Sequence, residues 1–318
     1  MSIVPISRSS ALAKLSPFEQ LANISEERVW LANFTSKQTR DTYKNAISDL
    51  IEFLELRSAD ELRAIDRAHI IAWRDHLMEH GASNSTVVTR LSAVSSMFQH
   101  LCERQVAPKN PVSGVKRPKV SSQTVKTPAL ATHQVRAMLD MPDTSTLQGL
   151  RDCALLHVYF YAGTRVSEPC KLRVRDLTEE QGVPVLDFAV KGGKSLRVGI
   201  HPACVQAIHA YMEVMRAEQG EAYSGDAWMF QAIMNGTDGP MTRLQFYNLF
   251  KKYAIKAGLP VDTVPHSARA TFITEALDRD HPSDAVQKTV GHASITTTLA
   301  YDKRRKKVKD SASFVVRY

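Results

Sequence analysis

Apolar residues recur at helical spacing through the first third of the chain. Tyr43, Ile47, Leu50, Ile51 and Leu54 fall three and four apart, which predicts one buried face on a helix over 37–56. Upstream, Ser25 with Glu26 and Glu27 marks the start of a short helix, because serine can accept from free first-turn amides and acids favour the dipole's positive end. Asp66 is placed to cap a third helix carrying Ile70, Trp73 and Leu77, which Gly81 stops. A fourth is predicted over 84–104, with Val87, Leu91, Val94, Phe98 and Leu101 inward. Its other face shows Thr89, Arg90, Ser92, Ser96 and Gln99, short polar groups able to approach a nucleic-acid groove or simply to face water.

Regularity fails over 108–128, where Pro108, Pro111, Pro118 and Pro128 interrupt a stretch with no apolar period. The first 24 residues are serine-rich and also lack a period. The organisation expected is therefore a mobile arm over 1–24, a helical DNA-binding domain over 25–107, a basic linker over 108–128 and a second domain over 129–318. A length of 318 residues suits two domains.

Beyond the linker the period is again helical. Thr132 begins a helix with Val135, Met138 and Leu139, and 155–161 is apolar enough for a core helix. Then the period changes to two: Leu186, Phe188 and Val190 alternate, and so do Leu196, Val198 and Ile200 after Gly192-Gly193. That predicts a β-hairpin on a glycine turn. Helices resume over 203–215, 242–257 (ended by Gly258), 266–277, 283–290 (ended by Gly291) and from Ser294 onward. The fold class expected is mainly α with a small β-sheet, helical in its N-terminal domain and α+β in its C-terminal one.

Charge adds a partner. There are 41 Lys+Arg against 33 Asp+Glu, a formal +8, which suits a polyanion. Its distribution is more telling. Lys109, Lys116, Arg117, Lys119 and Lys126 crowd the linker with no acid among them. Lys303, Arg304, Arg305, Lys306, Lys307 and Lys309 follow Tyr301 closely. Such runs neutralise phosphates, although solvated linkers and helix faces carry them too. No apolar run approaches the roughly 18 residues of a membrane span, and the N-terminus lacks the pattern of a secretion signal. A cytoplasmic protein without a membrane partner is expected. Cys102, Cys153, Cys170 and Cys204 are dispersed, as in small buried residues rather than disulfides or a zinc site.

Four segments carry chemistry: GTRVSE at 163–168, VKGGKSLRV at 190–198, PHSARATF at 265–272 and VGHASITTTLAYDK at 290–303. Singly each is ordinary, since an arginine after glycine is usually a surface cation and a lone histidine is usually structural. Together they supply what attack on a phosphodiester requires. Arg165 and Arg269 offer planar forks to non-bridging oxygens. Tyr301 is a phenol with an ordinary pKa near 10, only about one part in a thousand ionised at pH 7, so it needs cationic neighbours or a base. His266, which shares a helix face with Arg269, is a candidate base, and His292 could instead hold the phosphate by a hydrogen bond. No phosphate-binding glycine loop and no H-E-x-x-H occurs, so neither a nucleotide cofactor nor a metal is expected. Glu275, Asp278, Asp280 and Asp284 cluster in sequence, but at spacings that suit helix ends better than a metal.

Arginine, lysine, H-x-x-R, G-H and then tyrosine nine residues on is an order that resembles the tyrosine recombinase (phage integrase) family. The likeness runs from about 37 to 303 and is closest to the simple two-domain, Xer-like members. Thr39-x-x-x-Tyr43 and R-L-S-A-V at 90–94 resemble that family's N-terminal SAM-like core-binding domain. The resemblance implies a site-specific DNA recombinase that cuts and rejoins strands through a 3′-phosphotyrosyl intermediate, with no metal or ATP. It implies Arg165, Lys191, His266, Arg269, His292 and Tyr301 as the catalytic set, Glu168 as a support for Arg165, and Lys194 as the alternative to Lys191 for the general acid. Duplex DNA carrying specific recombination sites is the implied partner, with Arg90, Lys116, Arg117, Lys119, Lys194 and Arg243 as candidate contacts.

A homotetramer on DNA follows, joined through a C-terminal tail whose Phe314, Val315 and Val316 would dock in a neighbour or fold back, with accessory proteins optional. Alternatives on the same fold are a type IB topoisomerase and a non-catalytic DNA-binding regulator; a metal-dependent nuclease is a third class. Two positions depart from the family pattern: Thr164 where an apolar residue is usual, and Ala270 where a histidine is common. Tyr318 is a rival nucleophile without the G-H and arginine context.

Overall fold

The computed structural model describes residues 25–120, 127–190, 193–233, 239–302 and Ser313. The expected arm over 1–24, Lys191, and the tail with Tyr318 lie outside the described residues. The chain divides into two compact units, Met1–Ser121 and Ser122–Tyr318.

In the first unit the described helices are α1 (Glu26–Ala32), α2 (Lys37–Phe53), α3 (Ala59–Ala64), α4 (Arg67–Glu79) and α5 (Asn84–Glu103). The amphipathic stripes meet in one core of Trp30, Leu50, Ile70, Trp73, Leu91, Val94 and Phe98, with Tyr43, Ile47, Ile51 and Leu54 packed at its edge. Asp66 caps α4 as its sequence position implies, accepting from the amides of Ala68 at 2.9 Å and His69 at 3.3 Å. Ser25 occupies the cap position of α1, but its side chain accepts no helix amide. The short α3 has no apolar period to announce it: Leu62 is its one buried residue, and Ser58 caps it through the Glu61 amide.

The polar face of α5 is largely engaged within the unit. Arg90 is ion-paired to Asp49 at 2.8 Å, and the same carboxylate accepts from the Trp73 indole at 2.9 Å. Ser96 accepts from the Trp30 indole and Ser92 from Arg117. These groups are consumed within the unit because α1, α2 and the segment after α5 pack around that helix; Thr89 and Gln99 remain exposed. The stretch 108–120 forms no helix or strand, yet Val112 and Val115 are buried in this same core. Arg74 donates to the Lys116 carbonyl and Asn84 to the Lys119 carbonyl, which leaves both lysine side chains exposed.

The second unit contains α6 (Thr132–Leu139), α7 (Leu147–Ala162), β1 (Leu177–Glu180), β2 (Val183–Ala189), β3 (Ser195–Gly199), α8 (Pro202–Gln219), α9 (Arg243–Lys256), α10 (Pro265–Asp278), α11 (Ser283–Val290) and α12 (Ile295–Leu299). Helix α7 begins well before the apolar run that signalled it. Its first turns carry Arg151 and Asp152, charges that suggest a surface but are buried as a pair, with the Tyr253 hydroxyl donating to the Asp152 carboxylate. The hairpin forms, with Leu186 opposite Val198 and Phe188 opposite Leu196. A third strand, β1, pairs antiparallel with β2. Only Leu177 of β1 is partly covered and the rest is exposed, so no alternation marks it; such polar edges resist adventitious strand pairing. Arg197 on β3 reaches Asp187 on β2 and Glu180 on β1, tying the three strands together.

The main core lies between α7, α8, α9 and the sheet, where Tyr159 and Phe246 stack at 3.9 Å. A second, smaller cluster joins α10 and α11 through Ala270, Ile273, Leu277, Val286 and Val290, and the ring of Tyr301 completes it. Of the clustered acids, Glu275 pairs with Arg279 and Asp284 with Lys288, one helical turn away in each case. No described helix is long and apolar enough to cross a membrane.

Candidate active site

The site is built on helix ends. Helix α7 closes at Gly163 and α11 at Gly291, both in the left-handed conformation with φ of +59° and +64°. The last carbonyls of a helix have no partner within it and carry the negative end of its dipole, so they attract cations. Here arginines satisfy them. Arg269, on α10, donates Nη1 to the Gly163 carbonyl and Nη2 to the Val290 carbonyl, both at 2.7 Å. Arg165, just beyond Gly163, donates Nη2 to the Gly291 carbonyl at 3.0 Å. A lysine could not span two carbonyls in one plane, so the guanidinium shape is used structurally as well as electrostatically.

Glu168 is buried and holds Arg165 twice: one oxygen accepts from its amide at 2.6 Å, the other from Nη1 at 2.8 Å. The acid thus orients the arginine. Arg165 remains exposed, while Arg269 is only 2% exposed. Burial first, and then the neighbouring Arg165, pull the Arg269 guanidinium down to about 10, which leaves it charged at neutral pH.

Tyr301 follows α12, its ring packed on α10 and α11 and 7% exposed. Its hydroxyl stands 3.3 Å from Nε2 of His266, long for a hydrogen bond yet within reach of tightening once substrate binds. Burial raises the phenol above its ordinary pKa, and Arg269 works against that rise. Burial, Arg269 and Arg165 lower the His266 imidazole, so it is neutral and able to accept a proton near pH 7. The His292 ring lies nearly parallel to Tyr301, centroids 6.3 Å apart. Burial first, and then the charges of Arg269 and Arg165, push the His292 imidazole down to about 4.

Six of the residues singled out in the sequence thus meet in one place: Arg165, Glu168, His266, Arg269, His292 and Tyr301. The β2–β3 hairpin lies beside them, since a Cβ on Gly291 would come within 3.2 Å of Leu196 on β3. Lys194, in that turn, is exposed, and its carbonyl accepts from the Val190 amide. Arg243 is exposed in the first turn of α9. Four contributors are invisible to sequence reasoning: the carbonyls of Gly163, Val290 and Gly291, and Thr298, whose hydroxyl lies 2.9 Å from Nδ1 of His292. Backbone carbonyls have no sequence signature, and Thr298 is one threonine in a run of three.

A fold of a helical unit and a mainly helical unit with a small sheet, holding arginines, histidines and a tyrosine in one pocket, matches known proteins. Residues 128–307 match the model of the Phage integrase family, and 27–107 match that of the Phage integrase N-terminal SAM-like domain. The tyrosine recombinase XerC of Herpetosiphon aurantiacus is 30% identical over 282 residues, which span 88% of each chain. In fold, the chain is similar to the XerH site-specific recombinase bound to its difH substrate (TM-score 0.68, 20% identity, 86% of this chain and 80% of that one). It is also similar to a lambda integrase tetramer bound to a Holliday junction (TM-score 0.66, 15% identity, 90% and 77%). The chain belongs to the phage integrase family, with a SAM-like N-terminal domain and a tyrosine recombinase catalytic domain.

Proposed function

We propose that this enzyme is a site-specific DNA recombinase that cleaves and rejoins duplex DNA through a 3′-phosphotyrosyl intermediate on Tyr301. The observation that carries the reading is the convergence of Arg165, Arg269, His266 and His292 on one buried phenol.

In the forward step the Tyr301 oxygen attacks the scissile phosphorus, the phenolic proton passes to His266, and the bond from phosphorus to the 5′ oxygen breaks. The departing oxygen takes a proton from Lys191, or from Lys194 in the same turn. Arg165 and Arg269 neutralise charge growing on the non-bridging oxygens, and the Nε2–H of His292 adds a hydrogen bond. Religation runs the same path backward, with a 5′-hydroxyl as nucleophile. The ester conserves the energy of the broken bond, so no ATP is needed.

Recombination joins two crossover sites, so protomers at both sites imply a homotetramer on DNA. Lys116, Arg117, Lys119 and Arg243, exposed and basic, are proposed phosphate contacts. Arg90 is the weaker candidate because Asp49 already holds it. A groove of about 450 Å³ on the catalytic unit, with Leu130, Val135, Leu139, Phe160, Phe272 and Ala276 along it, suits the apolar Phe314, Val315 and Val316 of a neighbouring protomer.

A nicked duplex that traps the cleaved state tests the reading. In EDTA the wild type is expected to form a covalent protein–DNA adduct on a denaturing gel, and Tyr301→Phe none. Adduct at wild-type yield from Tyr301→Phe would remove Tyr301 as nucleophile and direct attention to Tyr318.

A further inference from the structure

We infer that Thr298 is a positioning residue that holds the His292 imidazole as its Nε2–H tautomer, so that His292 acts in strand cleavage as a neutral hydrogen-bond donor and never as a base. The inference rests on the reading that His292 holds the scissile phosphate.

Thr298 lies on α12, six residues after His292, and is fully buried. Its Oγ1 is 2.9 Å from Nδ1 of His292, and among the described residues that nitrogen is its one hydrogen-bond partner. A buried hydroxyl proton with no acceptor is strongly disfavoured. Were Nδ1 protonated, two donors would share one oxygen and the hydroxyl proton would have nowhere to go. The stable arrangement has Thr298 donating to a bare Nδ1, which leaves the ring proton on Nε2.

The backbone around the pair is equally constrained. The His292 amide donates to the Gln287 carbonyl, and the Gln287 side chain donates back to the His292 carbonyl. The Thr298 carbonyl accepts from the Tyr301 amide at 3.0 Å. One residue thus fixes the ring of His292 and the backbone that presents Tyr301. Burial, and then the cationic neighbours Arg269 and Arg165, disfavour a second proton on the ring, in agreement with a neutral imidazole. With Nδ1 capped and Nε2 protonated, the ring has no free acceptor for the Tyr301 proton, and that task falls to His266 alone.

Long-range ¹H–¹⁵N correlation spectra of the full chain read the tautomer directly. In the wild type, Nε2 of His292 is expected at a protonated shift and Nδ1 at a bare one. Thr298→Val, which keeps the shape and removes the hydroxyl, should move both toward the averaged shifts of a tautomer mixture. It should slow single-turnover cleavage roughly tenfold, and Thr298→Ser should restore both. A protonated Nδ1 in the wild type overturns the inference, as does an unchanged pair of shifts in a folded Thr298→Val protein. Should the valine variant not fold, the wild-type spectrum alone decides. If the wild type shows the expected tautomer but forms no adduct with DNA, the recombinase reading fails while the tautomer assignment stands.

Discussion

The guanidinium of Arg269 is held at 2.7 Å by the carbonyl of Gly163, a residue 106 positions earlier in the chain. That bond joins the end of α7 to the middle of α10, and its twin on Val290 adds the end of α11. One buried cation therefore closes two helices beside Tyr301. Stability and chemistry draw on the same side chain, which ties the predicted effects of substitutions around it.

Gly163→Ala places a methyl 2.4 Å from the Phe272 ring, at a backbone angle that L side chains rarely adopt. Left-handed strain and overpacking together are expected to cost about 2–4 kcal/mol. The displaced carbonyl should also loosen Arg269. Urea unfolding would report the first effect and adduct formation the second; an alanine variant as stable as the wild type would contradict the packing.

Arg269→Lys keeps the charge and loses the fork. A single ammonium cannot serve both carbonyls in this geometry, so one buried acceptor is stranded, at about 1–3 kcal/mol. Single-turnover cleavage should fall roughly 100-fold or more, in line with losing a preorganised donor from a charged transition state.

Thr164→Val should stabilise the protein. The Thr164 hydroxyl is buried without a hydrogen-bond partner among the described residues, at the one position beside Arg165 where the family pattern usually has an apolar residue. A valine of the same shape removes that unmet demand, and a gain of about 1 kcal/mol is expected from the denaturation midpoint.

Stability should fall on acidification through His292. Its folded pKa, about 4, lies below the ordinary 6.5, so the unfolded chain binds the proton first. The contribution is fully present above pH 6.5 and is lost as pH drops from 6.5 toward 4, by up to roughly 2 kcal/mol after allowing for solvent screening at a partly exposed ring. Denaturation of the wild type and His292→Gln at pH 7 and pH 4.5 isolates it: the glutamine variant should lose less stability over that interval. Equal losses would assign the acid sensitivity to other groups.

The helices with clean apolar stripes were legible because burial on one face leaves a period of 3.6 in the sequence; α2, α4, α5 and α9 are of this kind. Where burial involves charge, the signal fails. Arg151 and Asp152 hid the first turns of α7, although they are as buried as its leucines, because their pairing is a fact of space and not of order. The edge strand β1 left no trace, since a strand exposed on most positions has no alternation to show.

The chain by itself determined which side chains are available for chemistry: two arginines, two histidines, a lysine turn and a tyrosine, in an order with few other uses. Tertiary structure decided what each of them faces. Only folding brings the carbonyls of Gly163, Val290 and Gly291 onto the arginines, the Thr298 hydroxyl onto His292, and Asp49 onto Arg90. The reason is physical: a residue's type is written locally, whereas hydrogen-bond partners and desolvation depend on groups up to 141 positions away, which only the packed core brings together.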